Sequence, residues 1–158
     1  VLVNANHGRR EELIVNGVPV GRLYDNKSEQ ASRPGGEGSI IVIIATDAPL
    51  DSRQLSRLAK RAALGLARTG STARHGSGDF MLAFSTGNVI PHYPQERTFQ
   101  MTHMADTHLN PLISATVEAT EEAILNALTM ASAMVGRDGH RFEAISLSKL
   151  QALLRSWH

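Results

Sequence analysis

Apolar and polar positions alternate along the chain in blocks whose spacing predicts strands and helices. The longest apolar block is I-I-V-I-I at residues 40–44, and a second apolar block occupies residues 80–85. A run of β-branched residues without alternation is typical of a strand that is buried on both faces. Because the glycine-rich residues 36–38 end at Ser39, this serine stands at the start of the first strand.

Two longer segments carry apolar residues at the three- and four-residue spacing of amphipathic helices. The first follows Asp51, which together with Gln54 resembles a capping box. The second opens at Asn110, a good N-cap residue, with Pro111 in its first turn, and extends to about residue 135. Helices interleaved with buried strands predict a layered α/β or α+β fold.

Shorter elements are predicted near the two ends of the chain. Asn16-Gly17 is a strong hairpin signal, because both residues tolerate positive φ. Gly136 is predicted to end the long helix as a C′ glycine, and Ser146 to cap a last helix. Before Ser39 we predict a strand at 1–3 and a polar turn at 4–10. A strand at 11–15, a return strand at 18–23 and an exposed loop at 25–38 are predicted to follow.

Composition favours a globular protein with one core. The chain has 158 residues, of which 42% are hydrophobic and 20% charged, with a net charge of +1. This near-neutral charge and the 4% of aromatic residues argue against nucleic-acid or membrane-surface partners. No apolar run reaches the ~18 residues that a membrane span needs. The basic residues of the first long helix are interpreted as a solvated face; they are Arg53, Arg57, Lys60 and Arg61.

The sequence offers little support for metal or phosphate chemistry. There is no cysteine, which excludes disulfides, thiolate metal sites and a cysteine nucleophile. His103 and His108 lie five residues apart, which is not a metal-binding helix spacing, and no third ligand is evident. The glycine- and serine-rich loop at 70–79 lacks the lysine of a P-loop. We therefore expect no metal and no cofactor.

The N-terminal boundary bears on domain organisation. The chain begins at Val1, not methionine, in what resembles the middle of a strand. We therefore expect a single domain over 1–158 that is truncated at its N-terminus. Any signal peptide would then be absent from this sequence, so the sequence would not show the compartment. The cytoplasm is the favoured compartment, with the periplasm as the alternative.

Several stretches resemble one family in residue identity as well as in the pattern of apolar positions. Gly38-Ser39 followed by I-I-V-I-I-A-T-D-A-P-L is similar to the L-aminopeptidase/D-esterase family, which includes the β-peptidyl aminopeptidases. Further similar blocks are G-L-A-R-T-G-S at 65–71, G-S-G-D at 76–79, A-F-S-T-G-N at 83–88, A-T-V-E-A-T-E-E-A-I-L-N-A-L at 115–128 and G-R-D-G at 136–139. The blocks keep one order over nearly the whole chain, so together they are specific.

The resemblance implies a self-processing hydrolase with the family's four-layer α/β/β/α sandwich, an α+β fold of which this chain would be a C-terminal portion. Family members cut themselves at a Gly-Ser bond, here Gly38-Ser39. Residues 1–38 would be the tail of a first subunit and 39–158 the second, and the processed heterodimers would form a homo-oligomer. The implied substrates are small peptides, amides or esters.

Three residues match the family's nucleophile and its neighbours. Ser39 would be the nucleophile, and its own α-amine, freed by the cut, has a pKa near ~8 that suits a base. Ser77 and Asp79 match the second serine and its acidic partner, and an Asp here has a shorter reach than a Glu. On pattern alone, Ser39 can be an ordinary residue at the start of a strand. Ser77 and Asp79 can likewise be loop residues with local hydrogen bonds.

A fourth match supplies the oxyanion donor. Asn6 corresponds to the asparagine that stabilises the oxyanion, although on pattern alone it can be a turn residue. His7 stands where an aromatic residue is expected, so Asn4 is kept as the alternative donor. His75 lies near the predicted site, and we assign it no role.

Three other functions remain open from the sequence. The first is an acyltransferase of the ornithine acetyltransferase type, whose members use a threonine at the cut, whereas this chain has Ser39. The second is a binding or scaffold domain that keeps the fold without the reaction. The third is an inactive fragment.

Overall fold

A three-stranded sheet is the centre of the computed structural model, which describes residues 1–24 and 38–157. The strands are β1 (Leu2–Asn6), β2 (Ser39–Thr46) and β3 (Phe80–Ser85), with β2 in the middle. β1 runs antiparallel to β2, and β3 runs parallel to it. A parallel pair needs a crossover connection, and here a helix supplies it.

Helices and one small ribbon complete the described part of the chain. The helices are α1 (Val20–Leu23), α2 (Ser52–Arg68), α3 (Asn110–Thr129) and α4 (Leu147–Ser156). Short 3₁₀ helices lie at Arg10–Glu12, Asp106–His108 and Arg137–Gly139. β4 (Met134–Val135) and β5 (Arg141–Phe142) form an antiparallel ribbon apart from the main sheet. This mixture agrees with the α+β class that the family resemblance implies, one of the two classes that the pattern left open.

α2 and α3 cover one face of the sheet. Their apolar sides and alternate residues of β2 form a buried cluster: Ile40, Val42, Ile44, Ala62, Leu66 and Ile124. The two helices approach each other closely at Gly65, where a Cβ atom would lie 2.5 Å from the carbonyl oxygen of Val117. The small residues that the sequence places on these helices therefore serve close packing.

The opposite face of the sheet is open within the described part of the chain. Successive strand residues point to opposite faces, so Ile41 is 44% exposed while both its neighbours in β2 are more buried. Leu2, Phe80, Leu82 and Phe84 are also exposed on this side. The prediction that β2 is buried on both faces is therefore wrong for the described residues, because the covering helices lie on one face only.

The residues that follow β1 do not form the two predicted strands. A 3₁₀ helix occupies Arg10–Glu12, and α1 begins directly after Pro19, so the strands predicted at 11–15 and 18–23 are wrong. The apolar side chains of this segment instead pack against α4; the buried cluster is Val15, Val18, Val20 and Leu150. Tertiary burial has overridden the local strand preference.

The predicted hairpin turn is confirmed, although it forms without the two flanking strands. Asn16 and Gly17 have φ values of 50° and 77°. Their neighbours Val15 and Val18 form an isolated bridge with backbone hydrogen bonds of 3.0 and 2.9 Å. The turn chemistry was therefore correct although the flanking strands do not form.

β1 is longer than the sequence pattern suggests. The strand continues through Asn4 and Asn6, where we predicted a polar turn. The reason is its pairing with β2, whose register runs from Leu2 opposite Ile43 to Asn6 opposite Ser39. Backbone pairing therefore extends this strand into polar sequence.

The predicted helix N-caps are confirmed at two of three places. Asp51 and Gln54 form a full capping box, with bonds of 2.7 and 3.1 Å, and the Ser146 side chain accepts a bond from the Lys149 N–H. Asn110 is the first residue of α3 rather than its cap, and Leu109 precedes it.

The C-terminal end of α3 differs from the prediction. The helix ends at Thr129, not near residue 135, because Met134 and Val135 pair with β5. Gly136 has a φ of −93°, so it does not act as a left-handed C′ glycine.

The basic face of α2 is partly engaged within the molecule. Arg53 donates two bonds to Asp106, at 2.8 and 2.9 Å, and Arg57 donates a third at 3.3 Å. These bonds tie the segment before α3 to α2 and hold the pKa of the Asp106 carboxyl well below its usual range. Two of the four basic side chains therefore have a structural use.

Two further points complete the description. The exposed loop predicted at 25–38 lies outside the described residues, apart from Gly38. Over residues 1–24 and 38–157, no helix is both long and apolar enough to cross a bilayer.

Candidate active site

Ser39, the first residue of β2, is held by a backbone donor from the loop before β3. Its hydroxyl oxygen accepts a hydrogen bond of 3.0 Å from the N–H of Gly78. The parallel register, with Ile41 opposite Phe80, places the end of this loop beside the start of β2. A Cβ atom on Gly78 would lie 3.3 Å from the same hydroxyl oxygen, so a glycine leaves the approach open.

Ser77 and Asp79 lie on the two sides of Gly78 and contact the same stretch of β2. The Ser77 hydroxyl lies 2.7 Å from Asp79 Oδ1 and 2.9 Å from the carbonyl oxygen of Gly38. Asp79 Oδ1 also accepts a 3.2 Å bond from the N–H of Ile40. The predicted serine and its acidic partner are therefore brought to the Gly38-Ser39 bond.

Asn6 is the asparagine that faces Ser39. The two residues are directly opposite in the antiparallel register of β1 and β2, so their side chains share one face of the sheet. Asn4 is two residues away and pairs with Ile41. The geometry therefore favours Asn6 over Asn4 as a donor near Ser39.

Gly38 has no room for a side chain. A Cβ atom there would lie 1.9 Å from the carbonyl oxygen of Asn6 and 3.1 Å from the Cα of His7. The backbone of Gly38 therefore lies against the end of β1 while its carbonyl oxygen faces Ser77. Packing alone requires a glycine at this position.

The loop that carries Ser77 is anchored to the segment after β1. The N–H of Ile14 donates to the carbonyl of Thr69 at 3.1 Å, and a Cβ atom on Gly70 would collide with the carbonyl of Glu12. Arg74 forms an ion pair with Glu12 and its hydrogen bond lowers the pKa of that carboxyl. The carbonyl of Arg74 in turn accepts a 2.8 Å bond from the N–H of Ser77. These contacts hold the site loop in place.

His7 and Asp79 each bury one polar atom that has no hydrogen-bond partner among the described residues: Nδ1 of His7 and Oδ2 of Asp79. Burial lowers the pKa of His7, and the Asp79 charge opposes that shift. An unpaired buried polar group costs about 1–3 kcal/mol, so such atoms call for an explanation.

Sequence reasoning missed two features of this site. The N–H of Gly78 is a backbone donor, and a backbone donor has no side-chain signature. His7 was noted only as a departure from an expected aromatic residue. The remaining histidine near the site, His75, is exposed and lies two residues before Ser77.

The described residues contain no group of three or more His, Cys, Asp or Glu side chains that could hold a metal ion. The groups that the described site brings together are the hydroxyls of Ser39 and Ser77, the carboxylate of Asp79 and the backbone N–H of Gly78.

Comparison with known proteins identifies a matching family and several relatives of this chain. Residues 1–142 match the family model of peptidase family S58. The chain is 38% identical to the β-peptidyl aminopeptidases BapA of Sphingosinicella xenopeptidilytica and Sphingosinicella microcystinivorans. The matches cover 99% of this chain but 42% and 43% of those proteins, so the chain spans less than half the length of these relatives.

Solved structures agree with the sequence relatives. The PH0078 protein of Pyrococcus horikoshii OT3 is 49% identical with a TM-score of 0.87, over 98% of this chain and 42% of that one. The L-aminopeptidase D-Ala-esterase/amidase of Ochrobactrum anthropi, described as a variant of the Ntn hydrolase fold, is 37% identical with a TM-score of 0.88, over the same shares. A β-aminopeptidase of Burkholderia sp. is 40% identical with a TM-score of 0.82, over 99% and 44%.

These matches confirm the fold and the resemblance on which the site residues were chosen. The chain has the α+β Ntn hydrolase fold. It belongs to peptidase family S58.

Proposed function

We propose that this protein is a self-processing aminopeptidase or amidase that forms an acyl-enzyme on Ser39. The observation that carries the proposal is the convergence of Ser39, Gly78, Ser77 and Asp79 on the Gly38-Ser39 bond. Membership of a peptidase family whose relatives are named as aminopeptidases supports the same reaction class.

In the self-cleavage step, Ser39 Oγ attacks the carbonyl carbon of Gly38. The Gly38-Ser39 C–N bond breaks, the nitrogen takes up a proton as the new α-amine, and Gly38 becomes an ester of Ser39. Water then hydrolyses this ester to give the free Gly38 carboxylate and regenerates the hydroxyl. The lack of a side chain on Gly38, which its packing against β1 requires, also leaves the carbonyl accessible.

Two hydrogen bonds of the site suit this chemistry. The N–H of Gly78 donates to a lone pair of Ser39 Oγ, so the hydroxyl proton is free to point toward a base. The Ser77 hydroxyl is within donating distance of the carbonyl oxygen on which negative charge develops. Donors placed where charge develops typically contribute 10²–10³ in rate, or about 3–4 kcal/mol.

The same groups support turnover of substrates. After the cut, the α-amine of Ser39 has a pKa near ~8 and can accept the hydroxyl proton, directly or through a water molecule. Asn6, opposite Ser39 in the sheet, supplies a side-chain donor for the oxyanion of the substrate. The acyl-enzyme is then resolved by water.

We extend the proposal to substrates and assembly. Relatives are named as β-peptidyl aminopeptidases and as an L-aminopeptidase D-Ala-esterase/amidase, so we propose small peptides, amides and esters with a free amine as substrates. We further propose that residues 1–38 and 39–158 belong to two subunits, that the processed heterodimers assemble as a homo-oligomer, and that the protein acts in the cytoplasm without a cofactor.

The test is intact-mass analysis and N-terminal sequencing of the complete gene product, beside Ser39→Ala and Ser39→Thr variants. We expect two pieces in the unmodified protein, one beginning Ser-Ile-Ile-Val, together with hydrolysis of an aminoacyl p-nitroanilide. Ser39→Ala is expected to stay uncut and inactive, whereas Ser39→Thr, which keeps a hydroxyl, is expected to cut slowly. An uncut, inactive complete gene product would favour a binding domain over an enzyme.

A further inference from the structure

Two buried polar atoms without partners belong to residues that contact the Gly38-Ile40 segment. His7 directly follows Asn6, and its Cα is a near neighbour of Gly38. Asp79 contacts the same segment through its bond to the N–H of Ile40. Nδ1 of His7 and Oδ2 of Asp79 are buried and have no hydrogen-bond partner in the part of the chain that the structure describes.

The two atoms have complementary hydrogen-bonding capacity. A neutral imidazole carries one N–H, and if Nδ1 holds the proton it is a donor, whereas a carboxylate oxygen is an acceptor. Buried polar atoms in native proteins are almost always paired, directly or through an ordered water. Asp79 is also the charge that acts on the His7 ring, so the two groups are electrostatic neighbours.

We propose that His7 is a positioning residue that donates from Nδ1 to one buried water molecule, which in turn donates to Asp79 Oδ2. This inference rests on the proposed function of Ser39. The bond leaves Oδ1 as the acceptor for Ser77 and for the N–H of Ile40, where the structure places it. The chain of contacts then runs from His7 through Asp79 to Ser77 and the Gly38 carbonyl.

The proposed role requires a hydrogen-bond donor at Nδ1 of His7. Substitutions can test this donor separately from the packing of the ring. His7→Phe keeps a planar ring and removes the donor. His7→Asn keeps a donor at the place of Nδ1, whereas His7→Gln moves it to the place of Nε2. His75→Phe is the matched control, because His75 is an exposed histidine of the neighbouring loop.

The kinetic experiment uses the complete gene product and an aminoacyl p-nitroanilide. We expect His7→Phe to lower kcat about tenfold with little change in KM, since the residue acts on the chemical step rather than on binding. His7→Asn is expected to recover kcat to within about threefold and His7→Gln to recover less, because only Asn matches the Nδ1 position. In an Asp79→Ala background, His7→Phe is expected to add no further loss, because residues that act as a unit are not additive.

A second measurement does not depend on activity. ¹⁵N NMR of the His7 ring, assigned by the signal lost in His7→Asn, is expected to show a protonated Nδ1 whose shift changes in Asp79→Ala. An Nδ1 without a proton, or equal kcat losses in His7→Phe and His7→Asn, would overturn the inference. The expected NMR result in a protein that neither cuts itself nor hydrolyses the p-nitroanilide would uphold this contact and overturn the proposed function alone.

Discussion

The hydroxyl of Ser77 has two acceptors and a single proton. Its oxygen lies 2.7 Å from Asp79 Oδ1 and 2.9 Å from the carbonyl oxygen of Gly38. A hydrogen bond to a carboxylate is roughly twice as strong as one between neutral groups, so the resting hydroxyl donates to Asp79. In the self-cleavage that we propose, the Gly38 oxygen would become an oxyanion; the two acceptors would then be comparable, and the hydroxyl could donate to the oxyanion without moving its oxygen.

Ser77→Ala tests this sharing. We expect self-cleavage of the complete gene product to slow by about 10²-fold, the loss that follows removal of one donor to a developing oxyanion. The measurement is the time course of the two fragments by intact mass. Ser71→Ala is the matched control, because the Ser71 hydroxyl accepts a bond from Ala73 within the same loop. Equal rates in the two variants would mean that Ser77 does not assist the cut.

The residues of this site differ in how far the sequence could predict them. Ser39, Ser77 and Asp79 stand in recognisable sequence blocks, so a family resemblance locates them. The sequence could not identify the N–H of Gly78 as a donor to Ser39, because every residue except proline has this donor and only the fold determines its direction. The sequence likewise could not show that Nδ1 of His7 is buried, since that burial depends on the fold.

α2 and α3 meet where α2 has a glycine in its interior. Glycine in a helix is less favourable than alanine by roughly 0.5–1 kcal/mol, so helix propensity alone favours Gly65→Ala. The packing argues the opposite, because the new Cβ would lie 2.5 Å from the Val117 carbonyl oxygen and 2.7 Å from Thr120 Cβ. The sign of the change in stability therefore shows which effect is larger.

We expect Gly65→Ala to lower the free energy of unfolding by about 1–3 kcal/mol, the usual cost of overpacking a well-filled contact. Denaturant unfolding of the complete gene product measures it. Ala67→Gly, at an exposed position of the same helix, calibrates the propensity effect at about 1 kcal/mol of destabilisation. A more stable Gly65→Ala protein would show that α2 and α3 can separate to admit a methyl group.

Predictions of elements succeeded where local chemistry is strong and failed where distant contacts decide. The capping box at Asp51 and the turn at Asn16-Gly17 are local, and both are present. Among the described residues, the strand predicted at 11–15 is reduced to the isolated bridge of Val15 with Val18, and α4, more than a hundred residues away, packs on Val15. The end of α3 was predicted wrongly for the same reason. Periodicity assigned Met134 and Val135 to the helix, but these residues pair with β5.

The topology of the whole molecule explains why the site forms at one edge of the sheet. β2 and β3 are parallel, so both begin at this edge, and β1, which is antiparallel to them, ends there. Ser39, the loop before β3 and the residues at the end of β1 are therefore brought together by strand order alone. The sequence pattern predicted the alternation of strands and helices, but it could not show that β1 pairs with β2 across the 25–38 segment.

The open face of the sheet carries a contiguous apolar surface, which in a soluble protein marks an interface. Leu82 lies in its middle and is 58% exposed, between Phe80 and Phe84 along β3. The sandwich of this family has two central sheets, so we predict that the second sheet covers this face in the complete gene product. Leu82→Lys is then expected to bury an unpaired charge and to lower the free energy of unfolding by about 3 kcal/mol or more.

Denaturant unfolding of the complete gene product measures this effect, with Leu64→Lys as the matched control. Leu64 is 53% exposed on α2, at the other side of the molecule, and the long lysine side chain can place its charge in water there. The control is expected to change the free energy of unfolding by no more than about 0.5 kcal/mol, as exposed substitutions usually do. If Leu82→Lys is as mild as Leu64→Lys, the open face meets water and no second sheet covers it. A large difference between the two leucines would instead place β1, β2 and β3 inside a sandwich, with Ser39 at the edge of its interior.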